Sequence, residues 1–294
     1  MAKTYSGLLA RRLEDFVEQN SIMTEAQAGF RKGYSTVDAI FTLTGAAHLR
    51  LENGPKKKLY AFFVDYRSAF DSVRHDLLLE KLNVVGVSRK FLRTLAAMYG
   101  VGQATVWGRQ GLSQFFDIER GVKQGFLMSP LLFAIYLNDL TQAIPFGTFV
   151  GENVISTLLY ADDVAVLAES PEDLQSNIEA LKSYSDRWSL EVNLDKSKVM
   201  VFRRGGRLSA KEKWFYEGKK LDTVSSFRYL GVSLKDARFE IPQDGCSGDN
   251  EERSFLGRGD ESTRRERWLS ARFEPGGSRG LEGPDRQNNN RTWE

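Results

Sequence analysis

The chain has 294 residues, is 41% hydrophobic and carries a net charge of only +2, enough length for one large or two ordinary domains. One cysteine, Cys246, excludes internal disulfides and cysteine zinc clusters, and with only His48 and His75 a histidine-rich metal site is excluded too. Any metal must be held by oxygen, as magnesium, manganese or calcium would be; no apolar run nears a membrane span and the N-terminus lacks a signal-peptide core, so a soluble intracellular chain without membrane partners is expected.

Residues 1–20 predict a helix with Leu8, Leu9, Leu13, Phe16 and Val17 on one face. The loop SIMTEAQAGFRKGYST follows, then a second helix from about Val37 to Leu51. A basic turn, Lys56 to Lys58, precedes LYAFFVDY, whose apolar run reads as a central strand. DSVRHDLLLEKL predicts a helix with Asp71 as its N-cap. Residues 88–99 read as helix, and VGQATVWGRQGLSQFFDIE as a hairpin around Gly108 to Gly111. The Gly-bounded loop RGVKQG leads into SPLLFAIYLNDL, a buried helix with Ser129 at its N-cap and Pro130 at its first turn.

The stretch LLYADDVAVLAES predicts two strands joined by a turn region at Tyr160-Ala161-Asp162-Asp163. A turn this tight favours Gly or Asn, yet here it holds adjacent carboxylates beside an apolar sheet. Two ionised carboxylates so placed repel each other, which calls for a cation between them. Ser170-Pro171-Glu172-Asp173 then reads as a helix start with Leu174, Ile178, Leu181 and Trp188 facing inward. LEVNLDKSKVMVF predicts a short strand pair and FRYLGVSL a last strand. Strands and helices without regular alternation predict an α+β fold, a sheet with helices on one face.

Composition breaks after Lys235. Residues 1–235 hold 31 Lys and Arg against 26 Asp and Glu, whereas the last 59 residues hold 10 against 13, with no lysine and no valine. Four Ile and Leu in 59 residues cannot bury enough apolar surface to offset the entropy of ordering, so a disordered tail is expected at 236–294. Its abrupt onset suggests an out-of-frame reading.

Asp65 ends the apolar run LYAFFV much as Asp162 and Asp163 follow LLYA. If the strands are neighbours, three carboxylates meet at one sheet end, an arrangement suited to two divalent ions. The chain also resembles a known family. AFFVDYRSAFDSV, RGVKQGFLMSPLLFAIYLNDL, LLYADDVAVLAES, LEVNLDKSKVMVF and FRYLGVSL stand in the order of reverse-transcriptase motifs. QAGFRKGYSTVDAI resembles the fingers motif of non-LTR, LINE-type retrotransposon enzymes. The resemblance covers about residues 1–235.

That resemblance implies a right-hand polymerase whose palm sheet is antiparallel: partial fingers at 1–56, palm at 57–85, an insertion at 86–120, and palm with catalytic hairpin at 121–235. The implied activity is RNA-directed DNA synthesis, in which a primer 3′-hydroxyl attacks a deoxynucleoside triphosphate on an RNA template with two Mg²⁺ ions, or Mn²⁺ in their place. Asp65, Asp162 and Asp163 would bind the metals, with Tyr66 adding a backbone carbonyl. Phe70 would be the steric gate beneath the sugar. Lys123, Gln124 and Gly125 would line the nascent base pair, and Lys196, or Lys198 nearby, would protonate pyrophosphate. Tyr229, Leu230 and Gly231 would form the primer grip, while Arg31 and Lys32 would touch template or triphosphate.

Against the family's pattern, the fingers segment before QAGF and the helical thumb after FRYLGVSL are not recognisable, nor is an endonuclease domain or zinc knuckle. A truncated or decayed copy is therefore expected, with weak polymerase activity of its own. The competing readings are a catalytically dead nucleic-acid-binding remnant and a palm-type nucleotide cyclase, which has no need of GVKQG or a steric gate.

Overall fold

A computed structural model describes residues 2–236 apart from positions 55, 101, 110 and 124. The readings made for Gln124 and for the tail from residue 237 onward lie outside the described residues.

The elements run in chain order as α1 (Ala2–Gln19), α2 (Thr36–Glu52), β1 (Leu59–Val64), α3 (Ala69–Ser72), α4 (His75–Val84) and α5 (Arg89–Tyr99). Four short strands follow, β2 (Gln103–Ala104), β3 (Trp107–Gly108), β4 (Gly111–Leu112) and β5 (Phe116–Asp117), then α6 (Ser129–Leu137) and α7 (Leu140–Ala143). Next come β6 (Thr148–Val150), β7 (Asn153–Ile155), β8 (Thr157–Tyr160), β9 (Asp163–Ala168) and α8 (Pro171–Arg187). The described chain closes with β10 (Lys198–Phe202), β11 (Phe215–Tyr216), β12 (Lys219–Lys220), β13 (Thr223–Val224), β14 (Ser226–Tyr229) and β15 (Val232–Lys235).

The central sheet has the order β13-β10-β1-β9-β8 and is antiparallel except where β13 joins β10. Every residue of β1 is buried because the strand is covered on both faces. Tyr60, Phe62 and Val64 point to one side, against α8 and α6, which is buried at every position but Pro130. Leu59, Ala61 and Phe63 point to the other, where Leu43, Ala46 and Ala47 of α2, the β6–β7 hairpin and the β14–β15 hairpin cover them. Helices thus dominate one face, while the opposite face carries one helix and two hairpins that the sequence pattern did not reveal.

Several local expectations shift. Asp71 does not cap the expected helix: it lies inside α3, which the chain enters through Ser68 in the left-handed region (φ 43°), and α4 starts separately after Arg74. Ser129 is the first residue of α6, and its hydroxyl donates to the Lys123 carbonyl at 2.7 Å instead of capping the helix. Leu8 stays exposed while Leu9 and Leu13 are buried. FRYLGVSL is a hairpin, β14–β15, turning at Leu230 (φ 47°) and Gly231 (φ 88°). The expected strand pair at 190–202 does not form: β10 pairs with β1, and Val192 makes only a bridge to Tyr66. The Asn193 carbonyl instead gathers the N–H groups of Lys196 and Ser197 into a tight turn. Ser170 caps α8 as expected, its hydroxyl accepting from the Asp173 N–H at 3.0 Å.

Candidate active site

β1 and β9 are neighbours with Val64 opposite Val164, so the residues just beyond, Asp65 and the pair Asp162–Asp163, meet at one end of the sheet. Asp65 is the first polar residue after six buried ones. Its backbone is held from both sides: its N–H donates to Ser197 Oγ at 3.0 Å, and the Asn193 N–H donates to its carbonyl at 2.8 Å. The same turn carries Lys196, whose ammonium stands 3.8 Å from the Asp65 carboxylate. Asp162 sits in the two-residue turn between Tyr160 and Asp163, and Ala161 before it takes a left-handed conformation (φ 59°).

Asp65 and Asp162 open onto a cleft of about 1030 Å³, lined also by Tyr66, Phe70, Lys123, Gly125, Asn193 and Lys196. Asp163 stands beside them on the strand face shared with Ala165 and Leu167. Partial desolvation, and then the charges of Asp162 and Asp65, push its carboxyl up to about 6. Three carboxylates gathered at one sheet end in this way concentrate negative charge at the cleft.

The donor set is all carboxylate, which suits a hard divalent ion. Among the described residues, however, no three Asp, Glu, His or Cys close tightly enough to hold an ion unaided. An ion that draws most of its shell from water and substrate phosphate fits such an open arrangement.

The remaining expected residues divide. Phe70 forms part of the cleft wall, stacked on Phe133 (centroids 4.6 Å apart) with its edge toward Phe30. Gly125 borders the cleft with φ 79°, a conformation natural to glycine. Lys123 lies on the lining, but its ammonium turns back to the Met98 carbonyl at the end of α5. Tyr66 is buried, and burial raises its hydroxyl well above its ordinary range. Tyr229 is also buried, tilted against Phe63 at 5.2 Å; burial first and then the Asp163 charge raise its hydroxyl.

Lys198 is held by Asp222 at 2.7 Å and takes no part in the cleft lining, which leaves Lys196 as the lysine beside Asp65. Arg31 is not presented to the cleft. Its guanidinium is only 10% exposed, donates to the carbonyls of Thr24 (3.0 Å) and Gln27 (3.3 Å), and lies 3.6 Å from Glu25. Lys32 is exposed on the same loop. Sequence reasoning missed Ser197 and Asn193, which fix Asp65, and Gln27, which reaches Ala161; a run such as NLDKSK shows polar residues but not the backbone groups they clamp.

An antiparallel palm with carboxylates at adjacent strand ends, opening on a cleft bordered by a glycine loop, is the framework of right-hand polymerases. Residues 1–234 match the family model described as reverse transcriptase (RNA-dependent DNA polymerase), and the chain belongs to that family. It is 30% identical over 247 residues to a probable RNA-directed DNA polymerase from transposon BS of Drosophila melanogaster, covering 80% of this chain and 26% of that protein. It is 28% identical to the RNA-directed DNA polymerase from mobile element jockey of Drosophila funebris, with the same two coverages. A type-1 retrotransposable element R2 polyprotein of Popillia japonica is 27% identical, covering 76% of this chain and 32% of that one.

The chain thus spans about a quarter to a third of the length of these relatives. Among solved structures, telomerase from Candida tropicalis, in complex with a fragment of telomeric RNA, superimposes with a TM-score of 0.55 at 13% identity. That match covers 90% of this chain and 40% of the telomerase chain, and it supports the fold. Polymerases of this family generally use divalent metal ions. No helix among the described residues is long and apolar enough to cross a membrane.

Proposed function

We propose that this chain is the palm and part of the fingers of a non-LTR retrotransposon polymerase, and that its cleft adds deoxynucleotides to a DNA primer on an RNA template. The observation that carries the proposal is the convergence of Asp65, Asp162 and Asp163 at one end of the sheet, where β1, β9 and β8 lie side by side. Residues 57–85 and 121–235 supply the palm, 1–56 the partial fingers and 86–120 an insertion.

Asp65, Asp162 and Asp163 would hold Mg²⁺, with Mn²⁺ as substitute. Bound there, the ions supply the positive charge that favours an ionised 3′-hydroxyl and steadies the departing pyrophosphate. The chain's own residues do the rest. Lys196, exposed at the cleft mouth, donates a proton to the leaving pyrophosphate. Phe70 forms the floor that a ribose 2′-hydroxyl would strike. Gly125 lets backbone come close to the nascent base pair, and the β14–β15 turn bears on the primer end near Asp163. Since phosphoryl transfer depends largely on positioning, these contacts share the task with charge stabilisation.

The inward-facing Arg31 and the turned-back Lys123 favour a second reading, a nucleic-acid-binding remnant with little catalysis. The test is a chimera in which residues 1–234 replace the matching segment of the jockey polymerase. RNA-templated, Mg²⁺-dependent primer extension supports the polymerase reading; duplex binding without extension supports the remnant.

A further inference from the structure

The QAGF segment was singled out by resemblance as a fingers motif, yet its role in this fold lies under the carboxylate turn. Residues 26–28 run alongside β8: the Leu159 N–H donates to the Ala26 carbonyl and the Ala28 N–H to the Leu159 carbonyl, both at 2.8 Å. Gln27 pairs with Leu159 in a parallel bridge and is fully buried. Its Oε1 accepts two N–H groups, that of Gly29 at 2.9 Å and that of Ala161 at 3.3 Å.

Ala161 is the residue whose backbone sets the direction of Asp162. It has a side chain but sits at φ 59°, a region that L-residues avoid unless their surroundings enforce it. Gly29 closes the other side. A Cβ added there would overlap the Ala161 nitrogen and come within 2.9 Å of the Tyr160 carbonyl carbon, so a side chain at 29 would displace the turn. Arg31 in turn holds the Gln27 carbonyl at 3.3 Å. The loop therefore forms a brace running from Arg31 through Gln27 to Ala161.

We infer that Gln27 is a positioning residue for the metal-binding carboxylates: its side-chain oxygen, with Gly29 beneath, locks Ala161 in the left-handed conformation that aims Asp162 into the cleft. This rests on the proposed metal-dependent reading of the site, and the test keeps the two apart. Gln27→Met preserves volume and removes the acceptor. Ala161→Gly removes the conformational penalty, since glycine adopts positive φ freely.

Mn²⁺ binding to the full chain is followed by electron paramagnetic resonance, with Asp162→Asn as the reference lacking the site and a melting curve for each variant. Gln27→Met is expected to weaken Mn²⁺ binding by about tenfold or more, in the range seen when the supporting partner of a metal ligand is lost. Adding Ala161→Gly to Gln27→Met is expected to restore most of that loss. Wild-type affinity in Gln27→Met beside weak binding in Asp162→Asn overturns the inference and leaves the site reading intact. A double variant as weak as Gln27→Met also overturns it, by assigning the loss to general destabilisation. Equal binding by wild type and Asp162→Asn overturns the site reading, and the inference with it.

Discussion

The Lys196 ammonium stands 3.8 Å from the Asp65 carboxylate on a turn that also fixes the Asp65 backbone through Ser197 and Asn193. Lys196 is 69% exposed and Asp65 37%, so solvent screens the pair and little stability rides on it. Its value is in placement: one loop sets both Asp65, proposed to hold metal, and the lysine proposed as proton donor. In the chimera, Lys196→Ala should lower kcat by about a hundredfold, the lower range for a lost general acid, with KM little changed. Lys198→Ala, which removes a lysine already held by Asp222, should leave kcat nearly intact. Equal losses in single-turnover kinetics would remove Lys196 from the chemistry.

Phe70 both packs and faces the cleft. Phe70→Ala should cost about 2 kcal/mol, less than a fully buried phenylalanine because the ring is half-buried. It should also admit ribonucleotides by opening space below the sugar. Melting curves and ribo- against deoxynucleotide incorporation by the chimera separate the effects. A destabilised variant with unchanged sugar choice would confine Phe70 to packing.

Asp163 titrates higher in the fold, at about 6, than its ordinary 3.8. The folded state therefore binds the extra proton between these values. The associated stability is fully present below about 4 and is lost as pH rises through 6. Metal-free protein should lose stability over this window relative to Asp163→Asn, and Mg²⁺ should restore it near pH 7. Thermal melts from pH 4 to 7.5, with chelator and with Mg²⁺, check this; parallel curves for both proteins would show that Asp163 feels no such crowding.

Away from the cleft, Lys81 is buried to 5% exposure, with its ammonium 3.8 Å from the Trp188 ring and 2.5 Å from Asp139. Burial lowers it to about 8 despite the Asp139 charge. Because the folded value lies below the unfolded one near 10.5, the folded state carries fewer protons between them, and stability rises with pH from about 8 to about 10.5. Wild type should gain stability relative to Lys81→Met as pH goes from 8 to 10, by about 2 kcal/mol. Denaturant melts at these two pH values decide it, and a pH-independent difference would contradict the assignment.

The meeting of the three carboxylates was legible because strand-end carboxylates leave a plain trace: an apolar run interrupted by Asp65, and another by Asp162–Asp163. Register then follows from burial, since a one-residue slip would turn either strand's core side chains outward. What escaped the sequence was pairing to backbone. Arg31 looks like a free surface cation until the Thr24 and Gln27 carbonyls are placed around it, and Lys123 looks available until the end of α5 is seen to receive it. Lys81 reads as an ordinary helix-surface lysine, because only the packing of α4 against α6 and α8 buries it. Gln27 shows no chemistry in the sequence at all; its meaning comes from Ala161, some 130 residues away.

The most direct measurement is RNA-templated primer extension by the chimera with Mg²⁺, comparing wild type with Asp162→Asn in single-turnover conditions. Asn keeps the shape of the turn and removes one charge that favours the ion. The account predicts extension by the wild type and a fall of at least about a hundredfold in the variant, with similar melting temperatures. Extension by Asp162→Asn at the wild-type rate would contradict the placement of the active site at the turn between β8 and β9.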